Sequence, residues 1–213
     1  MEFKQHHIEY KKTARFITFG NPETATELLI ALHGYGQLAT EWIENFNYLD
    51  PEKYFVVCPE GPHRYYQRGR RGQVVANWMT TEDRLVDIKN YVAYLNTVYE
   101  NVTTNYQFDR HVLLGFSQGG ATASRWMELG KHKFQLFILW GSVFPPDMQQ
   151  QFDSPLDTSK NYFVVGNNDE YFDQKRISKH YKFLNEVGMN FELINFDGNH
   201  NIHKETLLDI LKR

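Results

Sequence analysis

A serine flanked by glycines, in Gly115-Phe116-Ser117-Gln118-Gly119-Gly120, is the sharpest chemical signal in this 213-residue chain. It has the form G-x-S-x-G, in which a strained strand-to-helix turn lifts a serine hydroxyl above a sheet to attack an acyl carbon. Small residues beside the serine are required because side chains would collide in so tight a turn. The helix that follows directs its N-terminal amides toward an oxyanion formed nearby. Near neutral pH such a hydroxyl needs a histidine to take its proton and a carboxylate to orient that histidine. With this turn the order along the chain is Ser, then Asp or Glu, then His. Asp169, in Gly166-Asn167-Asn168-Asp169-Glu170, and His200, in Asp197-Gly198-Asn199-His200, follow Ser117 in that order. Glu170 and Asp173 are rivals for the acid, and His203 for the base. His132 and His180 fall in or beside helices before the last strand and read as surface residues. His200 and His203 also have H-x-x-H spacing, but no third ligand stands near them to complete a metal site.

An acyl transfer also needs donors for the developing oxyanion. His33-Gly34-Tyr35-Gly36 follows a strongly apolar run and has the histidine-and-glycine form of a loop that supplies one such amide. The other comes from the residue after the nucleophile. The amides of Tyr35 and Gln118 are thus the candidate oxyanion hole, each worth about 3 kcal/mol in the transition state.

These residues must be held by particular elements. Glu27 to Leu32 and Tyr54 to Cys58 are continuous apolar runs, as expected for strands covered on both faces. Arg110–Phe116, Phe134–Trp140, Asn161–Val165 and Phe191–Phe196 read as further strands. Helices are expected over Glu41–Leu49, Ser117–Leu129, Gln174–Val187 and Lys204–Lys212. Another starts near Thr81, with Leu85, Ile88, Val92, Leu95 and Tyr99 at helical spacing and Thr80 or Thr81 as N-cap. Phe3–Tyr10 and Arg15–Phe19 look like an antiparallel edge hairpin. Buried strands alternating with helices make the fold class α/β: a three-layer sandwich around a mostly parallel sheet, opened by that N-terminal hairpin. In such sheets chemistry sits beyond the carboxyl ends of the strands, and all the motifs above lie at strand exits.

Composition bounds the function. A formal charge of -3 argues against a nucleic-acid binder, and a single cysteine, Cys58, leaves no internal disulfide. Cys58 reads as a small core residue. The apolar runs are strand-sized, so no integral membrane segment is expected, and the N-terminus lacks the pattern of a signal peptide. The expectation is one soluble, cytoplasmic domain over residues 1–213. Aromatic residues make up 15% of the chain. Most would fill the core, while Tyr35, Phe116, Trp78 and Tyr171 lie at motif positions or strand exits and are candidate walls of a substrate pocket. Arg64, Arg68, Arg70 and Arg71 interleave with Tyr65 and Tyr66 between Gly61 and Trp78. They read first as a solvated surface loop and second as an attractor of an anionic ester.

Taken together, Leu32 to Gly36, Gly115 to Gly120, Gly166 with Asp169, and Gly198 with His200 resemble the phospholipase/carboxylesterase family, which includes acyl-protein thioesterases of the α/β-hydrolase superfamily. The resemblance runs from about Leu28 to the end of the chain. Trp140-Gly141 through Pro145 is similar to the family's segment at that place. Gln37 departs from the aspartate common in thioesterase relatives, and Ala76-Asn77-Trp78-Met79 matches the family's arginine, tryptophan and phenylalanine segment only in part. The resemblance implies hydrolysis of small-molecule carboxylic esters or thioesters through an acyl-serine, without cofactor or metal. The competing class is a non-catalytic ligand-binding protein on the same scaffold.

Overall fold

A computed structural model describes residues 2–148, 159–186 and 189–213, with only the backbone of Arg70. Its main sheet has seven strands in the order β1-β3-β2-β6-β7-β8-β9. These are β1 (Phe16–Phe19), β2 (Glu27–Leu32), β3 (Tyr54–Pro59), β6 (Arg110–Phe116), β7 (Leu136–Trp140), β8 (Lys160–Gly166) and β9 (Phe191–Phe196). Every pairing is parallel except β1 with β3. The helices are α1 (Ala39–Trp42), α2 (Arg84–Asn105), α3 (Gln118–Leu129), α4 (Gln174–Glu186) and α5 (Lys204–Lys212).

The central strands are apolar throughout because both faces are covered. Along β2, Leu28, Ile30 and Leu32 point into one apolar cluster and Leu29 and Ala31 into the other. This is the two-residue alternation of an extended chain. The first cluster is closed by Tyr91, Val92 and Leu95 of α2, Trp126 of α3, and Ile177 and Leu184 of α4. The second is closed by Trp42 of α1 and by Leu207, Ile210 and Leu211 of α5. Cys58 is buried in the second cluster, and burial pushes its thiol well above its ordinary pKa.

Several expectations change. The antiparallel pair at the N-terminus is present, but β1 pairs with β3, and residues 2–15 form no strand. Phe3, Ile8 and Tyr10 are exposed, so this segment has no buried face to stabilise a ribbon. Polar contacts hold it instead, Gln5 Nε2 to Asp83 at 2.8 Å and Lys89 to Glu9 at 3.2 Å. The helix expected over Glu41–Leu49 is the short α1 followed by a 3-10 turn at Ile43–Phe46. There the Asn45 side-chain Nδ2 donates to the Trp42 carbonyl at 2.9 Å, competing with the helical ladder. Asp83, with φ 47°, rather than Thr80 or Thr81, precedes α2. The loop from Gly61 to Trp78 contains a second sheet, a hairpin of β4 (His63–Tyr66) and β5 (Val74–Asn77). Within it Arg64 lies 3.6 Å from the buried Glu60 carboxylate, and Arg68 and Arg71 are exposed near the tip. Val187, the expected end of α4, lies outside the described residues. Among the described residues no helix is long and apolar enough to cross a membrane.

His180 is buried rather than on the surface, because α4 turns it inward, where its Nε2 accepts the Phe144 amide at 3.0 Å. His132 is half-buried and stacks on Tyr99 at 4.0 Å. Burial, reinforced by the Arg176 charge, lowers the pKa of His180 from 6.5 to about 4. The unfolded chain therefore takes up this proton first on acidification. Stability from a neutral His180 is present above pH 6.5 and is lost as pH falls toward 4. At 1.36 kcal/mol per pKa unit, the loss between pH 7.5 and 4.5 is roughly 2–3 kcal/mol. Urea unfolding at both pH values should show a smaller loss for His180→Gln, whose amide oxygen can still accept from Phe144. Equal losses in the two proteins would remove His180 from the account.

Candidate active site

Ser117 sits between β6 and α3 with φ 53° and ψ -121°. A non-glycine residue rarely adopts this backbone, and it marks strain held by the surrounding structure. Its own N–H donates to the Trp140 carbonyl at 3.0 Å, and its carbonyl accepts from Ser142 Oγ at 2.6 Å. Thus the exit of β7 clamps the turn from one side. On the other side α3 packs so close to the end of β2 that a Cβ on Gly119 would lie 2.4 Å from the Leu32 and His33 carbonyl oxygens. This close approach is why the motif needs a glycine there.

The loop after β2 wraps around the turn. A Cβ placed on Gly34 would come within 3.2 Å of Ser117 Cβ, so the loop and the serine are direct neighbours. Gln37 Oε1 accepts the Gly34 amide at 2.7 Å, and Gly36 donates to the Ala76 carbonyl of β5 at 2.9 Å. His33 is fully buried, and burial lowers its pKa from 6.5 to about 4, so it is neutral. Its tautomer follows from its partners. Nε2 accepts from the Gly61 amide at 2.9 Å, which leaves the proton on Nδ1 to bond the Gly34 carbonyl at 2.7 Å. Among the described residues, the amides of Tyr35 and Gln118 have no hydrogen-bond partner outside regular elements, and Gln118 is in the first turn of α3, where amides have none inside the helix.

Asp169 and His200 come from the loops after β8 and β9. The two loops are joined by the Asn167 amide to the Phe196 carbonyl at 2.8 Å and the Asn168 amide to the Gly198 carbonyl at 2.9 Å. His200 Nδ1 meets Asp169 Oδ2 at 2.7 Å. Asp169 Oδ1 accepts the Tyr171 amide at 2.9 Å, so both carboxylate oxygens are satisfied. The Asp169 side chain is 1% exposed and that of His200 11%. A buried carboxylate on Nδ1 places the ring proton there and leaves Nε2 free as a base. The imidazole rests on Phe116 at 4.6 Å, and Tyr171 stands edge-on to it at 4.7 Å. Gly141, with φ +51°, lies beneath it, where a Cβ would come within 3.0 Å of the ring. The imidazole therefore packs against both the residue before Ser117 and the residue after Trp140. Among the described residues Ser117 Oγ makes no hydrogen bond.

The rivals have other partners. Asp173 Oδ1 accepts the Arg176 amide at 2.7 Å, capping α4 three residues on, and Glu170 is exposed. His203 precedes α5 and stacks on Phe196 at 5.2 Å. The four aromatic candidates separate. Tyr35 and Tyr171 are exposed at the site, whereas Phe116 is buried between Trp42 and His200. Trp78 is fully buried and presents no wall, because its indole N–H turns inward to the His33 carbonyl at 2.8 Å. Sequence reasoning noted Gly141 and Ser142 only within the segment Trp140 to Pro145 that resembles the family's, and gave them no part in holding the turn or the imidazole. It also passed over the carboxamide of Gln118, whose Oε1 accepts the Trp78 amide at 3.1 Å and whose Nε2 donates to the Met79 carbonyl at 2.9 Å.

Solved structures share this architecture. Acyl-protein thioesterase 2 of Zea mays superposes with a TM-score of 0.70 at 18% identity, over 94% of this chain and 97% of that one. The esterase PE8 gives 0.70 at 16%, over 94% and 99%. The Bacillus cereus carboxylesterase gives 0.63 at 16%, over 93% and 94%. At such identities the likeness establishes the α/β-hydrolase fold. No curated protein matches the sequence. The phospholipase/carboxylesterase family model matches residues 15–213, every strand of the sheet and every residue of the site above, and the chain belongs to that family of hydrolases.

Proposed function

We propose that the chain is a serine esterase acting on small-molecule carboxylic esters or thioesters through an acyl-enzyme on Ser117. The observation that carries this reading is the buried His200–Asp169 pair at 2.7 Å beside a serine held at φ 53°. His200 Nε2 takes the Ser117 proton as Oγ attacks the acyl carbon. Negative charge moves to the carbonyl oxygen, which the amides of Tyr35 and Gln118 receive. The imidazolium, stabilised by Asp169, gives its proton to the leaving alcohol or thiol. The neutral imidazole then takes a proton from water as that water attacks the acyl-enzyme, and returns it to Ser117 Oγ as the carboxylic acid is released. Every step uses side chains and amides of this chain, so no cofactor enters. Tyr35, beside the oxyanion loop, and Tyr171, against His200, are exposed and available to contact substrate.

Incubation with a fluorophosphonate should label Ser117, identified by peptide mass, and labelling should abolish hydrolysis of p-nitrophenyl esters. A folded protein that takes no label and cleaves no member of a panel of esters and thioesters of increasing acyl length would overturn the reading.

A further inference from the structure

We propose that Trp78 is a positioning residue that braces the two halves of the oxyanion hole against each other. This rests on Tyr35 and Gln118 being the donors to an oxyanion formed at Ser117. The two donors come from separate elements, and the ladder between β2 and β6 stops at Leu32 and Gly115, three residues short of each. Beyond that point another contact must set their separation.

Trp78 touches both halves. Its indole Nε1 donates to the carbonyl of His33 at 2.8 Å, within the loop that carries the Tyr35 amide. Its backbone N–H donates to Gln118 Oε1 at 3.1 Å, on the residue that carries the other amide. Gln118 Nε2 completes a two-point clamp on the Met79 carbonyl at 2.9 Å. An amide N–H can only donate and a carbonyl can only accept, so the orientation of the carboxamide is set by its partners. The His33 ring lies against the indole with centroids 5.1 Å apart, and its Nε2 ties in the exit of β3 through Gly61. Trp78 is fully buried and its bond to the His33 carbonyl is buried with it, so no water competes for that bond. Fixed donors stabilise a transition-state charge because they need not reorganise when it forms. Loosening the brace should therefore weaken the transition state and leave ground-state binding alone.

Trp78→Phe keeps an aromatic ring and removes the indole donor. Its kcat/KM should fall about 10-fold with KM within about 2-fold, since small displacements of catalytic geometry act on the barrier. Inhibition by a trifluoromethyl ketone, whose hemiketal oxyanion occupies the hole, should weaken by the same factor, while inhibition by the carboxylate product should be unchanged. Gln118→Met retains the backbone donor and drops both side-chain bonds. It should show the same pattern, and it carries the test should Trp78→Phe fail to fold. Wild-type kcat/KM in a folded variant, or a loss without parallel weakening of the ketone, overturns the brace. Absence of fluorophosphonate labelling in the wild type overturns the parent reading instead.

Discussion

Ser117→Ala is expected to lower kcat/KM for a p-nitrophenyl ester by about 10⁴-fold or more, because residual catalysis would come only from binding and the oxyanion amides. The substitution keeps the Cβ and so keeps the strained backbone at φ 53° and ψ -121°. Ser117→Gly removes the Cβ clash that makes this conformation unfavourable. It should be equally inactive but more stable than the alanine variant by about 1–3 kcal/mol, the usual range for such strain. Chemical denaturation of the two variants measures the difference. Equal stabilities would mean that the turn is not strained, and substantial activity in Ser117→Ala would remove the serine from the chemistry.

The second large effect concerns the acid. Asp169→Asn preserves shape but offers an amide N–H to His200 Nδ1, which favours the ring tautomer with its proton on Nε2, where the base is needed. A loss of about 10³–10⁴ in kcat is expected, with the fold retained. The rivals should behave differently. Glu170→Gln should leave kcat within about 2-fold, as expected of an exposed side chain whose charge solvent and salt screen. Asp173→Ala removes the cap of α4 and should lower stability by about 1 kcal/mol without a comparable change in kcat. A larger kcat loss in Asp173→Ala than in Asp169→Asn would transfer the acid role.

Much of the architecture was legible because buried strands announce themselves. Arg110–Phe116, Phe191–Phe196 and the helix Lys204–Lys212 have the same limits in sequence and structure. The first is mostly apolar, and the third buries Leu207, Ile210 and Leu211 on one face at helical spacing. The β4–β5 hairpin was not legible. Its strands have four residues each, and His63 to Tyr66 alternates half-buried and exposed positions around an arginine, which reads as a solvated loop. Phe3–Tyr10 erred in the other direction. Its composition suits a strand, but nothing in the fold covers it.

The site divides along similar lines. Order along the chain and position at strand exits singled out Ser117, Asp169 and His200, because local turn chemistry and covalent sequence constrain both. Nothing local distinguishes an acid that faces the histidine from one that caps a helix. In the structure Asp169 faces His200 and Asp173 faces the start of α4, with two backbone bonds joining the loops after β8 and β9. Trp78 shows the same limit, since its side chain turned inward to a carbonyl 45 residues earlier rather than outward to a pocket. What the sequence alone determined is the set of chemical groups, their order and the apolar runs that build the sheet. Which groups meet depended on contacts between residues far apart in the chain, and only the tertiary structure brings those into register.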